Sequence, residues 1–190
     1  MNRLESILEH NRRFVENREY EAYRTDRWPD KKMVVVTCMD TRLTELLPRA
    51  MNLRNGDAKI IKNAGGIVTQ PFGNIMRSIL IALYELRASE VFIVGHHDCG
   101  MTGLDPQTVL RHMRERGIPD STIGMLENAG IRLDRWLTGF DNVRESVEQS
   151  VRIVSRHPLL PPGTAVHGLI VHPDTGKLDL VVDGYAGRTT

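Results

Sequence analysis

Three short apolar runs, each closing on a polar tip, constrain this chain more than any other feature. They are KKMVVVTCMD at residues 31–40, AKIIKNAGG at 58–66 and SEVFIVGHHDCGM at 89–101. Each is a nearly continuous, β-branched stretch of strand length, which predicts a strand buried on both faces, as in a parallel sheet. The first strand should end near Thr37. The second should end near Lys62, in a glycine-bearing turn. Between the second and third runs, FGNIMRSILIALYELRA sets Ile75, Ile79, Leu80, Leu83 and Leu86 along one side of a helix.

Downstream, residues 105–139 read as short helices and loops. FDNVRESVEQSVRIVSRH then gives an amphipathic helix with Val143, Val147, Val151 and Val154 in register, closed by Pro158, Pro161 and Pro162. In VHGLIVHPDTGKLDLVVDGY two β-rich runs flank Asp174-Thr175-Gly176, the pattern of a hairpin. Strands alternating with helices predict an α/β fold: a mostly parallel β-sheet flanked by helices, with an added antiparallel C-terminal strand. At 190 residues the expectation is a single domain over 1–190, with an α/β core at 33–185.

Residues 1–28 stand apart as an N-terminal helical arm. Leu4, Ile7, Leu8, Phe14, Tyr20 and Tyr23 make a thin apolar stripe in a very polar sequence, suited to docking on another subunit. A loosely attached surface helix is the alternative. This segment has no apolar core of a secretion signal, and nowhere do about 18 apolar residues run together, so the expected setting is cytoplasmic, with no membrane partner. Twenty-five basic residues against 24 acidic ones leave no field that would favour nucleic acid.

In open α/β sheets, ligands bind outside the carboxyl ends of the strands. The three tips TCMDTR, KNAGG and GHHDCGM therefore converge on one candidate site. Cys38 from the first tip, with His96 and Cys99 from the third, forms a soft donor set suited to Zn2+. Three protein ligands leave a fourth tetrahedral position open, which points to catalysis. In a reducing setting the two cysteines are free thiols or ligands before they are a disulfide. Small buried core cysteines are the alternative.

Asp40 and Arg42 stand two and four positions after Cys38. The carboxylate can accept a hydrogen bond from water at the open position or take that position itself, while Arg42 holds it ionised and oriented. A helix cap with a solvated arginine is the plainer alternative. Asn63-Ala64-Gly65-Gly66 lacks the lysine and spacing of a phosphate-binding loop and suits close backbone approach to the metal site. Gly65, and Gly100 beside Cys99, are the expected substrate-binding positions. His97 is expected outside the ligand set, and His157, His167 and His172 are candidate proton carriers.

CMDTR, KNAGG, GHHDCGM and the late HGLIVHPDTGKLDLV together resemble the β-class carbonic anhydrases, whose pattern is Cys-x-Asp-x-Arg followed by His-x-x-Cys. The matches run in order from residue 34 to about 182. The KNAGG and HxDCGM forms look like the compact microbial and archaeal branch. The resemblance implies a zinc enzyme that interconverts carbon dioxide and bicarbonate, with Cys38, His96 and Cys99 as ligands and Asp40 and Arg42 as the catalytic dyad. It also implies a homodimer or dimer of dimers joined in part by an N-terminal arm. Members of the same fold hydrolyse carbon disulfide or carbonyl sulfide, and the ligand motif does not discriminate among these linear substrates. A non-catalytic zinc-binding domain, with Asp40 on the metal, is the further alternative.

Overall fold

The computed structural model describes residues 2–186, so Met1 and residues 187–190, the ends of the expected arm and domain, lie outside the described residues. Strands β1 (Met33–Cys38), β2 (Ala58–Asn63), β3 (Glu90–His96), β4 (Ala165–Val171) and β5 (Leu178–Val182) form one sheet in the order β2-β1-β3-β4-β5. The first four are parallel and β5 runs antiparallel to β4, as the hairpin pattern predicts.

This order fixes where a site can form. The chain leaves β1 for β2 on one side, then returns across β1 to lay β3 on the other. Beyond the carboxyl ends of β1 and β3 the two crossovers diverge, and that switch point leaves a crevice.

Each strand alternates between two cores because successive side chains point to opposite faces. Val34, Val36, Val91 and Ile93 meet α3 (Asn74–Tyr84) and α7 (Val143–Ser155), which contribute Met76, Ile79, Ala82, Val147, Val151 and Val154. Val35, Val94 and Val171 face Leu43 and Leu47 of α2 (Leu43–Ala50), and Cys38 and Cys99 belong to this second layer. The helix face of α3 is the predicted one, with Ile75 and Leu80 half-buried against the same core. Met76 and Ala82 are buried with Ile79 and Leu83, and Leu86 lies past the helix end, where Arg87 adopts a positive φ of 59°.

Between β3 and α7 the chain makes an excursion through α4 (Pro106–Glu115), α5 (Asp120–Asn128) and α6 (Leu133–Trp136), with its own small core of Leu110, Ile123 and Leu133. A short neck closes this excursion. Phe140 N–H donates to the Met101 carbonyl at 3.1 Å, and Gly103 N–H donates to the Phe140 carbonyl at 2.9 Å.

The N-terminal α1 (Arg3–Glu16) starts with a capping box between Asn2 and Glu5 and buries none of its residues. Its Leu4, Ile7 and Leu8 are 64%, 59% and 55% exposed, so this end of the stripe finds no cover among the described residues. No helix among the described residues is long and apolar enough to cross a membrane.

Candidate metal centre

Cys38 is the last residue of β1 and His96 the last of β3, so the strand ends themselves carry two of the three donors. After His96 the backbone turns sharply: Asp98 takes a left-handed φ of 51°, and the turn brings Cys99 back beside Cys38. The two Sγ atoms are 3.9 Å apart, and the donor atoms of Cys38, His96 and Cys99 all lie within 4.8 Å of one another. Two sulfurs bound to one tetrahedral zinc at about 2.3 Å each would stand about 3.8 Å apart. The observed spacing matches that distance.

His96 supplies an independent test of fit. Its ring is fully buried, and Nδ1 lies 2.8 Å from the His97 carbonyl, which makes Nδ1 the protonated nitrogen. In the neutral ring Nε2 then carries the lone pair, buried and without a hydrogen-bond partner. An unpaired buried acceptor is costly unless something binds it. A ligating histidine whose other nitrogen donates to a carbonyl is the usual arrangement at a metal. The three residues therefore fit a soft divalent ion.

Without a metal, the electrostatics favour a thiolate at Cys38 and oppose one at Cys99. Burial alone would push the Cys38 thiol up, but the neighbouring His96 ring and the backbone N–H groups of Asp40 and Gly65 bring it down to about 7. Burial pushes the Cys99 thiol up to about 11, against a partly offsetting N–H from Met101. Burial opposes charge on His96 as well, yet Cys38, the His97 carbonyl and Asp40 together raise its pKa.

The second glycine of KNAGG allows the second tip to approach. At Gly66 the φ is +64°, and a Cβ would stand 2.8 Å from the Cys38 backbone nitrogen. That closeness lets Gly65 present its N–H to the Cys38 sulfur. Gly65 is buried, with Phe140 and Met101 against its Cα, whereas Gly100 lines an open cleft of about 480 Å³ together with Met39, Asp40, Ala64 and Met101.

Asp40 and Arg42 stand at the mouth of that cleft. Arg42 donates from Nη2 to Asp40 Oδ2 at 2.8 Å and from Nε to Oδ1 at 3.1 Å, while its backbone N–H also donates to Oδ1 at 2.9 Å. The dyad and the cap-like backbone contact, expected as alternatives, thus coexist. The Arg42 guanidinium holds the Asp40 carboxyl down to about 2. Asp40 Oδ2 is 3.9 Å from His96 Nε2, beside the three candidate donors.

Two of the candidate proton carriers are elsewhere. His167 is buried opposite Phe92, toward the starting end of β3, and His157 is buried behind α7 with Phe72 edge-on to its ring. Neither lines the cleft, so both are set aside as carriers. His172 is 44% exposed in its side chain and its ring lies 5.9 Å from that of His97, on the β3 side of the site. Sequence reasoning assigned no role to Asp98, whose carboxylate and carbonyl both accept from Arg42. Its position next to Cys99 was the available signal.

Fold and site together define an α/β protein with a buried two-cysteine, one-histidine group that could hold a metal ion at a strand switch point. The carbonic anhydrase family model matches residues 33–178, and the chain belongs to the β-carbonic anhydrase family. YvdA of Bacillus subtilis, provisionally named a carbonic anhydrase, is 61% identical over 182 residues, spanning 96% of this chain and 92% of its own. The crystal structure of β-carbonic anhydrase isoform I from Trichomonas vaginalis superposes with a TM-score of 0.88 at 34% identity, covering 97% of this chain and all of that one. A carbon disulfide hydrolase of Acidithiobacillus thiooxidans is 27% identical over 157 residues, 78% of this chain and 76% of its own.

Proposed function

We propose that this protein reversibly hydrates carbon dioxide to bicarbonate and a proton, with one zinc ion held by Cys38, His96 and Cys99. The observation that carries the reading is the pairing of a bare, buried His96 Nε2 with two sulfurs 3.9 Å apart, beneath a carboxylate that Arg42 keeps ionised. β-Carbonic anhydrases use zinc. When bound, it supplies Lewis acidity that lowers the pKa of water near neutral pH.

The chain's own residues do the rest. Asp40 accepts a hydrogen bond from the attacking water and turns its lone pair toward the substrate, and Arg42 fixes Asp40 in that role. Both Asp40 oxygens accept from Arg42, so the carboxylate would stay with the arginine and not join the three residues that would hold the ion. Carbon dioxide has no net charge or dipole, so it needs an apolar niche rather than a charged anchor. Met39, Ala64, Gly100 and Met101 offer one beside the two cysteines. The product proton leaves toward His172 and buffer on the exposed side.

In this reading the protein works in the cytoplasm, where the thiols stay reduced, as a homodimer or dimer of dimers in which α1 covers a partner. Carbon disulfide hydrolysis is the second reading, favoured by the Acidithiobacillus relative. The test is stopped-flow hydration of CO2 beside a carbon disulfide assay on the same zinc-quantified sample. Hydration accelerated by at least about 10⁶ over the uncatalysed rate supports the first reading. Sulfide release without hydration supports the second and overturns the first.

A further inference from the structure

Arg42 is held from two sides, and only one of them is the dyad. On its far edge Nη1 donates to Asp98 Oδ2 at 2.8 Å, and Nη2 reaches past Asp40 to the Asp98 backbone carbonyl at 2.9 Å. Four of these contacts, two to each aspartate, converge on one planar guanidinium. Asp98 belongs to the turn after β3, whereas Arg42 and Asp40 follow β1. The contact therefore ties together the two loops that carry Cys38 and the His96–Cys99 pair.

We propose that Asp98 is a positioning residue, which holds Arg42 in register with Asp40 and so fixes the direction in which Asp40 addresses the reacting water. The inference rests on the hydration reading above and names a residue outside the dyad. Its physical basis is rotational. Arg42 is 36% exposed and its side chain has several free torsions, so a single pair of bonds to Asp40 leaves the guanidinium free to pivot and carry the carboxylate with it. A second anchor on the opposite edge removes that pivot. An exposed ion pair alone contributes little stability, and Asp98 is 84% exposed, so the value of the contact lies in orientation.

The backbone supports this assignment. Asp98 sits at φ 51°, where a non-glycine residue is uncommon. Asparagine tolerates the same region and glycine adopts it freely. Asp98→Gly therefore removes the carboxylate while keeping the turn, and Asp98→Asn keeps an acceptor oxygen while removing the charge.

The experiment uses zinc-loaded protein, with metal content measured for every variant. Asp98→Gly is expected to lower kcat for hydration about tenfold with little change in KM and with zinc retained, and Asp98→Asn to recover part of that loss. In an Arg42→Ala background, Asp98→Gly is expected to have no further effect, because its action passes through Arg42. An equal loss in both backgrounds, or a wild-type rate in Asp98→Gly, overturns the proposal.

A second readout is independent of turnover. The Arg42 Nε–H resonance of the holoprotein, hydrogen-bonded to Asp40, should exchange with solvent about tenfold faster in Asp98→Gly. Unchanged exchange overturns the clamp even if hydration is intact. Faster exchange in a protein that hydrates no CO2 upholds the clamp on Arg42 and sinks the hydration reading instead.

Discussion

Arg42 Nη2 and Nε stand 2.8 and 3.1 Å from the two carboxylate oxygens of Asp40, a side-on fork that occupies both. Such a bidentate, charge-assisted pair is directional as well as strong. It keeps Asp40 an anion throughout the range in which a carbonic anhydrase works, since its pKa is held at about 2. Under the proposed hydration chemistry, the reacting water would change protonation while the carboxylate does not.

Removing that charge separates orientation from metal binding. Asp40→Asn is expected to lower kcat/KM for CO2 hydration by about 10²-fold or more while zinc stays near one per chain, because the carboxylate is not among the three donors. Metal analysis and stopped-flow kinetics on one preparation check both halves. A variant with the wild-type rate would reduce the dyad to a helix cap.

Zinc uptake should release protons and strengthen as pH rises. Metal binds the deprotonated ligands. In the metal-free protein at pH 7, Cys99, pushed up to about 11, is a thiol, Cys38 at about 7 is half ionised, and His96 is raised toward its charged form. Binding at pH 7 should therefore release more than one proton, that of Cys99 and about half of that of Cys38, and fewer from Cys38 at pH 8, where it is largely ionised beforehand. Calorimetry in buffers of different ionisation enthalpy reads this number directly. A release near zero would mean that the thiols are not the ligands.

How much of this centre could be read in advance varied with the kind of contact. Cys38 and His96 were legible because fully buried parallel strands read as continuous apolar runs, and their ends mark the side where ligands gather. The hairpin of β4 and β5 was legible from Asp174-Thr175-Gly176 for the same local reason. The face of α3 was legible in most of its width: Ile75, Ile79, Leu80 and Leu83 meet the core as their spacing predicts, Met76 and Ala82 widen that face, and Leu86 falls past the helix end. The Arg42 to Asp98 contact joins residues 56 apart and depends on a left-handed turn that no apolar pattern encodes. Likewise His157 and His167 look like any other histidines until burial places them away from the cleft.

The uncovered stripe on α1 gives a third expectation. Replacing Leu4, Ile7 and Leu8 together by Glu should shift a dimer toward monomer in sedimentation, while far-ultraviolet circular dichroism stays near wild type, since none of the three packs against the sheet. Three new acidic residues on a helix already carrying Glu5 and Glu9 would leave a docked partner face unpaired. An unchanged dimer would show that the arm is a free surface helix.

The most direct measurement is kcat/KM for CO2 hydration from about pH 6 to 9.5 on protein titrated with zinc from zero to one equivalent. Two thiolates cancel both charges of Zn2+, so water at this centre should ionise less readily than at a site of three neutral imidazoles, where the value is about 7, and no less readily than in aqueous zinc at about 9. The account predicts activity proportional to zinc up to one ion per chain, rising with pH through a midpoint between those limits, with Asp40 contributing no step because it is ionised throughout. Zinc-saturated protein that hydrates CO2 no faster than buffer, or a midpoint clearly below 7, would contradict it.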